Sequence, residues 1–132
     1  MMPSAVRGLL LNFYGKARMK ISGCLFCQII AREKPAVLVY EDDQCIAFED
    51  VYPKAPVHAL VVPRKHVTTL ADCAEEDEGL LGHLLHVAAR VAKEKGIHSF
   101  RTVINTNGEA GQTIYHLHVH VLGGRTMCWP PG

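Results

Sequence analysis

The run Tyr115-His116-Leu117-His118-Val119-His120-Val121-Leu122 constrains this chain more than any other feature. In an extended backbone, residues two apart share a face. A strand over 115–122 would therefore project three imidazoles together while Leu117, Val119 and Val121 pack against a core. A lone histidine on an apolar strand is ordinarily a satisfied core residue. Three aligned ones are different, because each partly buried imidazole needs a polar partner. Such a row is costly unless chemistry or a metal uses it, which makes it a candidate site.

The rest of the chain bounds what can surround that row. With 132 residues, a hydrophobic fraction of 48% and a formal net charge of +1, the chain suits one soluble domain with its own core and no field for nucleic acid. No apolar run approaches the ~20 residues that span a bilayer, so no membrane role is expected. Five cysteines, Cys24, Cys27, Cys45, Cys73 and Cys128, are an odd and scattered set that fits a reducing, cytoplasmic compartment. Residues 1–20 hold Arg7, Lys16, Arg18 and Lys20, whereas the first acid is Glu33. That bias also fits a mitochondrial transit peptide, a leader segment or an N-terminal helix. We therefore divide the chain into an extension, 1–21, and one domain, 22–132.

Within the domain, Leu25, Phe26, Ile29 and Ile30 have the spacing of a short helix over 24–31. Strands are predicted over 37–40 and 45–48 around a turn at 41–44, and over 58–62 before Pro63. Residues 75–95 form a long helix, with Leu80, Leu81, Leu84, Leu85, Ala88, Val91 and Ala92 as its apolar stripe and Gly96 as its stop. His83 and His86 on it read as a solvated face. Strands over 100–105 and 115–122 flank the loop 106–113. Short connections between five strands predict an α+β fold, an antiparallel sheet with helices on one side.

The segment His116 to Leu122 resembles the signature of the histidine triad (HIT) superfamily, and the resemblance runs from about Ser22 to Gly132. Asp50, Ala55-Pro56-Val57-His58, Val62-Pro63-Arg64-Lys65-His66, Asn105, Gly111-Gln112-Thr113 and Gly123-Gly124-Arg125 fall in family order. The ending Trp129-Pro130-Pro131-Gly132 is similar to the histidine triad nucleotide-binding branch. The resemblance implies a HIT-like fold and a homodimer that hydrolyses nucleoside 5′-phosphoramidates, releasing AMP from an amine. Its partners would be a purine nucleotide or nucleoside phosphoramidate. Two departures stand out: Thr113 replaces the usual serine, and Cys128 stands where histidine is common. Both bear on the leaving group.

The chemistry has its own logic. A neutral imidazole can attack an α-phosphorus, and the resulting phosphorus–nitrogen bond is labile to water. The attacking nitrogen must present a lone pair, so the other must hold its proton against an acceptor. His118, flanked on both sides, takes the nucleophile role, as the resemblance also implies. His120 and the Thr113 hydroxyl would meet a phosphate oxygen or the leaving group, with His58 completing the cluster. Asn105 and the amides around Gly111 and Gln112 would bind phosphate oxygens, and Asp50 the ribose hydroxyls. Asn105 and Gly111 equally suit a simple turn.

Cys24-Leu25-Phe26-Cys27 has the spacing of half a zinc site, with His66 as a third ligand; a redox pair or two packed thiols are alternatives. The resemblance implies His116 as the fourth ligand of a structural Zn²⁺, with no metal in catalysis. Competing functions are a dinucleoside polyphosphate hydrolase, a catalytic zinc hydrolase and a non-catalytic purine-nucleotide-binding or scaffold protein. The long helix and the strand 100–105, a candidate edge, would both be covered by dimerisation.

Overall fold

The computed structural model describes residues 23–132; the 1–21 extension and its candidate targeting role lie outside the described residues. The elements in chain order are α1 (Leu25–Ile30), β1 (Leu38–Glu41), β2 (Cys45–Glu49), β3 (Val57–Pro63), α2 (Glu78–Glu94), β4 (Phe100–Val103) and β5 (Val119–Gly123). The strands form one antiparallel sheet in the order β1-β2-β3-β5-β4. The α+β expectation holds, with five strands, one long α-helix and one short one among the described residues.

Alternation in the three central strands decides the two faces. Val61 pairs with Val119 and Ala59 with Val121 across β3 and β5, while Ala47 pairs with Val61 across β2 and β3. These residues meet Leu84, Val87, Ala88, Val91 and Ala92 of α2 in the main core. On the opposite face, Leu60 pairs with His120 and Phe48 with Leu60. There Ile46, Phe48, Leu60 and Val62 pack against Phe26 and Ile29 of α1. The helices thus lie on both faces, not one. The physical reason is that β2 and β3 are buried along nearly their whole length on both sides, so each face needs a cover.

The element limits also differ in informative ways. Pro63 is the last residue of β3, opposite Cys45, where a missing N–H is tolerated at a strand end. Strand β4 stops at Val103 rather than 105, and α2 is preceded by a 3-10 turn, Glu75–Asp77. Strand β5 begins at Val119, not 115, because residues 116 and 117 bond elsewhere: the Leu117 N–H donates to the Val67 carbonyl at 2.7 Å. Side-chain alternation still runs through 116–118, with Leu117 buried in the main core.

The β1–β2 turn is built by Asp42, whose Oδ1 accepts the N–H groups of Gln44 and Cys45 at 2.8 and 2.9 Å. Its Oδ2 accepts from the Tyr40 hydroxyl at 2.8 Å and lies 2.7 Å from His83 Nε2. His83 is therefore a clasp between α2 and the hairpin, not part of a solvated face; His86 is exposed as expected. Along α2, Val87 joins the buried stripe and Leu85 stays 48% exposed.

Leu84 is fully buried between α2 and the sheet. Leu84→Ala should cost about 2–5 kcal/mol of folding stability, read from the urea midpoint, while Leu85→Ala should cost under about 1 kcal/mol.

Candidate functional site

Strand β3 carries His58 and β5 carries His120 on the α1 face of the sheet, and their register brings the rings within reach. His58 Nε2 lies 2.9 Å from His120 Nδ1. The His118 ring stands 5.0 Å from that of His120, centroid to centroid. The sheet therefore joins three residues that are 62 positions apart at most.

Hydrogen-bond partners decide which nitrogen of each ring bears the proton. His118 Nδ1 lies 2.7 Å from the His116 carbonyl, which can only accept. The proton sits on Nδ1, and Nε2 keeps its lone pair. The Lys54 main-chain N–H donates to His58 Nδ1 at 2.9 Å. The neutral His58 ring therefore carries its proton on Nε2 and donates it to His120 Nδ1, leaving an N–H on His120 Nε2. One ring presents a nucleophilic lone pair and its neighbour a donor.

Charge and burial keep these rings neutral. His118 is 8% exposed and His58 4%. Burial lowers the His118 pKa from its ordinary value, with the His116 carbonyl pulling it back. His58 is lowered by burial first, with Lys54 adding to this and Asp50 opposing it. His120 is pushed down to about 4 by burial, then by His118 and His58, against the pull of Asp50.

Asp50 stands beside this cluster rather than apart from it. Its Oδ1 accepts the Tyr52 N–H at 2.8 Å, and its Oδ2 lies 3.3 Å from His58 Nε2. The glycine loop is more self-contained than its sequence implies. The Gly111 amide donates to Gly108 and the Gln112 amide to Asn107, so neither is open to a phosphate as the sequence reading expected. The buried Gln112 side chain is a brace: Nε2 donates to the Thr68 and Ile114 carbonyls and Oε1 accepts from Asn107. Gly111, at φ +102°, sits against the Asn105 amide, where a Cβ would come within 3.7 Å. Thr113 is exposed in the stretch that leads to His116.

A second cluster adjoins the first. His116 Nε2 donates to the Pro63 carbonyl at 2.9 Å, which turns its Nδ1 lone pair away. That nitrogen faces Cys24 Sγ at 3.4 Å, Cys27 Sγ at 3.6 Å and His66 Nδ1 at 3.1 Å, and Cys27 Sγ lies 3.3 Å from His66 Nδ1. Tetrahedral zinc with bonds of about 2.0–2.3 Å spaces its donors about 3.3–3.8 Å apart. The four residues fit such an ion in number and type; their ligand atoms all lie within 4.8 Å of one another, with only the His66–His116 distance slightly under that spacing. Cys24 also caps α1, its Sγ accepting the Cys27 N–H at 3.3 Å. Burial brings His116 down to about 4 and lowers His66, so both are lone-pair donors near neutrality.

Some participants were not legible beforehand. Phe26, between the two cysteines, meets the His118 ring edge-on at 5.1 Å and 86°. Lys54 acts through its main chain, and Pro63 through its carbonyl. None has a side-chain signal for such a role; Phe26 alone was marked by its place inside the Cys-X-X-Cys pair.

The fold and site define an α+β protein whose histidine row opens β5 beside a four-donor metal-type cluster. Comparison with known proteins agrees: the family described as "Scavenger mRNA decapping enzyme C-term binding" matches residues 23–128. An uncharacterized HIT-like protein of Synechocystis is 55% identical over 109 residues, covering 82% of this chain and 96% of the relative. Among solved structures, a HIT family hydrolase from Legionella pneumophila has a TM-score of 0.82 at 45% identity, covering 83% of this chain and 100% of its own. A histidine triad protein from Clostridium difficile has a TM-score of 0.80 at 40% identity, covering 83% and 97%. The chain belongs to the HIT superfamily.

Linkage gives a test of the site's electrostatics. An unfolded histidine titrates near 6.5, whereas His120 in the fold titrates at about 4. Its depressed pKa means the stabilising contribution is complete above pH ~6.5 and is lost as pH falls toward about 4. Urea midpoints should drop across that window, and His120→Gln should flatten part of the drop. Parallel pH profiles for both proteins would contradict the assignment.

Proposed function

We propose that this protein is a purine nucleoside phosphoramidase of the histidine triad nucleotide-binding branch, cleaving AMP–amine substrates through a nucleotidyl-His118 intermediate. The observation that carries the reading is the 2.7 Å contact from His118 Nδ1 to the His116 carbonyl, which leaves Nε2 as the lone-pair nitrogen. In the first step Nε2 bonds to the α-phosphorus and the phosphorus–nitrogen bond breaks, the amine taking up one proton from solvent as it leaves. In the second, water bonds to phosphorus and returns one proton to solvent while the bond to Nε2 breaks and His118 departs neutral.

The cationic phosphoimidazole between the two steps keeps its Nδ1–H on a carbonyl, which stabilises positive charge as it develops. The His120 Nε2–H is assigned to a phosphate oxygen or to the departing nitrogen, and the Thr113 hydroxyl to the leaving group. Asp50 is assigned to the ribose hydroxyls, and Asn105, held beside Gly111, to the phosphate. The kinship with a protein described as a HIT family hydrolase supports hydrolysis. The Trp129-Pro130-Pro131-Gly132 ending favours this branch over a dinucleoside polyphosphate hydrolase.

A structural zinc ion held by Cys24, Cys27, His66 and His116 belongs to the same reading. When bound, it would cross-link α1 to the segment before β5. It would take His116 out of direct chemistry, which separates this reading from a catalytic zinc hydrolase using all three triad histidines. A homodimer is supported by β4, which pairs with β5 on one side and, among the described residues, has no strand on the other. Beside it a depression of about 690 Å³ is lined by Phe100, Arg101, Arg125 and Met127. Trp129 is 81% exposed, with the Arg101 guanidinium over its ring at 5.9 Å.

His118→Ala should abolish turnover of an adenosine phosphoramidate while AMP affinity stays within about tenfold. Mass spectrometry of a stopped reaction should find the nucleotidyl adduct on the wild type alone. Retained turnover in the variant would remove His118 from the nucleophile role.

Elemental analysis of protein expressed with zinc should find about one ion per chain, and Cys27→Ser should lose it together with stability. Light scattering at micromolar concentration should report a dimer. Truncation after Arg125 should change the ranking of amine leaving groups, and an unchanged ranking would exclude the tail from leaving-group selection.

A further inference from the structure

We propose that the Cys24–Cys27–His66–His116 cluster sets the orientation of the His118 imidazole, so that metal occupancy there switches the nucleophile between a held and a loose state. This rests on the zinc and nucleophile assignments above and extends them from a structural ion to a controlling one.

The first observation is where His118 sits. The β3–β5 ladder starts at the pair Val61 and Val119, so His118 is one residue outside it. The two residues before it also lie outside the ladder. Those residues are tied to a single stretch, 63–67: His116 Nε2 to the Pro63 carbonyl at 2.9 Å and the Leu117 N–H to the Val67 carbonyl at 2.7 Å. His66, a member of the cluster, belongs to that stretch and lies 3.1 Å from His116. A metal bound to both would lock 116 onto 63–67 by a third tie.

The second observation is what His116 does with its main chain. The carbonyl that accepts the His118 Nδ1–H belongs to His116. One residue therefore offers its ring to the metal and its carbonyl to the nucleophile. Rotation of residue 116 would break the contact that keeps the Nε2 lone pair available.

The third observation is Phe26. Its ring packs against His118 at 5.1 Å and His116 at 6.0 Å, both edge-on, and it is 2% exposed. It lies between Cys24 and Cys27 at the start of a six-residue helix, far shorter than a helix that is stable alone. The two thiolates would anchor that first turn. Releasing the metal loosens Phe26 and His116 together, removing the wall and the acceptor of His118 at once. Phe26 and His116 are thus positioning residues.

The test follows the His118 Nδ1–H by NMR in the uniformly ¹⁵N-labelled full chain, identified by its absence in His118→Gln. In zinc-loaded protein it should be a single resonance protected from solvent. After removal of zinc with a chelator, its exchange should quicken by about tenfold or more, within the ordinary range of coupling between sites, while the main-chain signals of Val121 and Leu122 stay in place. If the stripped protein unfolds, zinc-loaded Phe26→Leu replaces it and should keep one ion per chain while showing the faster exchange. An unchanged His118 signal in the folded stripped protein, or in Phe26→Leu where that is the arm read, overturns the proposal, as does failure to take up zinc. Neither readout uses turnover, so a protein that does not cleave phosphoramidates still answers the question.

Discussion

The contact between the His118 Nδ1–H and the His116 carbonyl is the interaction on which the rest of the site depends. A neutral imidazole has one proton, and placing it on Nδ1 leaves Nε2 free to make a bond. The contact is only possible because residues 116–118 leave the regular ladder, which would engage the strand's main-chain groups with a neighbour. Instead Pro63 and Val67 hold 116 and 117 from the side. The place where the sheet pairing begins, at Val119, is therefore part of the chemistry.

Around that contact the molecule uses main-chain groups to assign roles to identical side chains. His58, His116, His118 and His120 are the same residue type, yet His116 is left with an Nδ1 lone pair, His118 with an Nε2 lone pair and His120 with an Nε2–H, while both nitrogens of His58 are engaged. Lys54 N–H, Pro63 C=O and His116 C=O each face one ring nitrogen and so determine its tautomer. Burial reinforces the result by disfavouring the charged forms of all four. Side-chain identity supplies the imidazoles, and backbone geometry distributes their functions.

The two-sided sheet explains why the site lies on one face only. The main core against α2 occupies one face completely, so the polar row has only the other face to occupy. There α1 covers one end, and Phe26 separates the four-donor cluster from the open histidines while touching rings of both. Among the described residues, this is where buried polar groups concentrate: His58, His116, His118 and Gln112 are all buried. Each has a hydrogen-bond partner, as burial demands.

By itself, the sequence determined the alternation of His116, His118 and His120 with Leu117, Val119 and Val121, the long helix from its apolar stripe, and the antiparallel sheet from short connections. These follow from local periodicity, which a linear chain carries in full. It also marked Cys24, Cys27 and His66 as a possible metal set, since spacing restricts donor type. The tertiary structure alone decided that α1 and α2 take opposite faces, that His83 clasps Asp42 instead of facing water, and that Gln112 and the Gly111 amide serve the loop. It alone decided which nitrogen of each histidine is free. Those outcomes depend on contacts between residues 41 to 62 positions apart, such as His83 with Asp42, Leu117 with Val67 and His58 with His120, or on main-chain bonds that any residue type could make, and neither leaves a trace in the order of side chains.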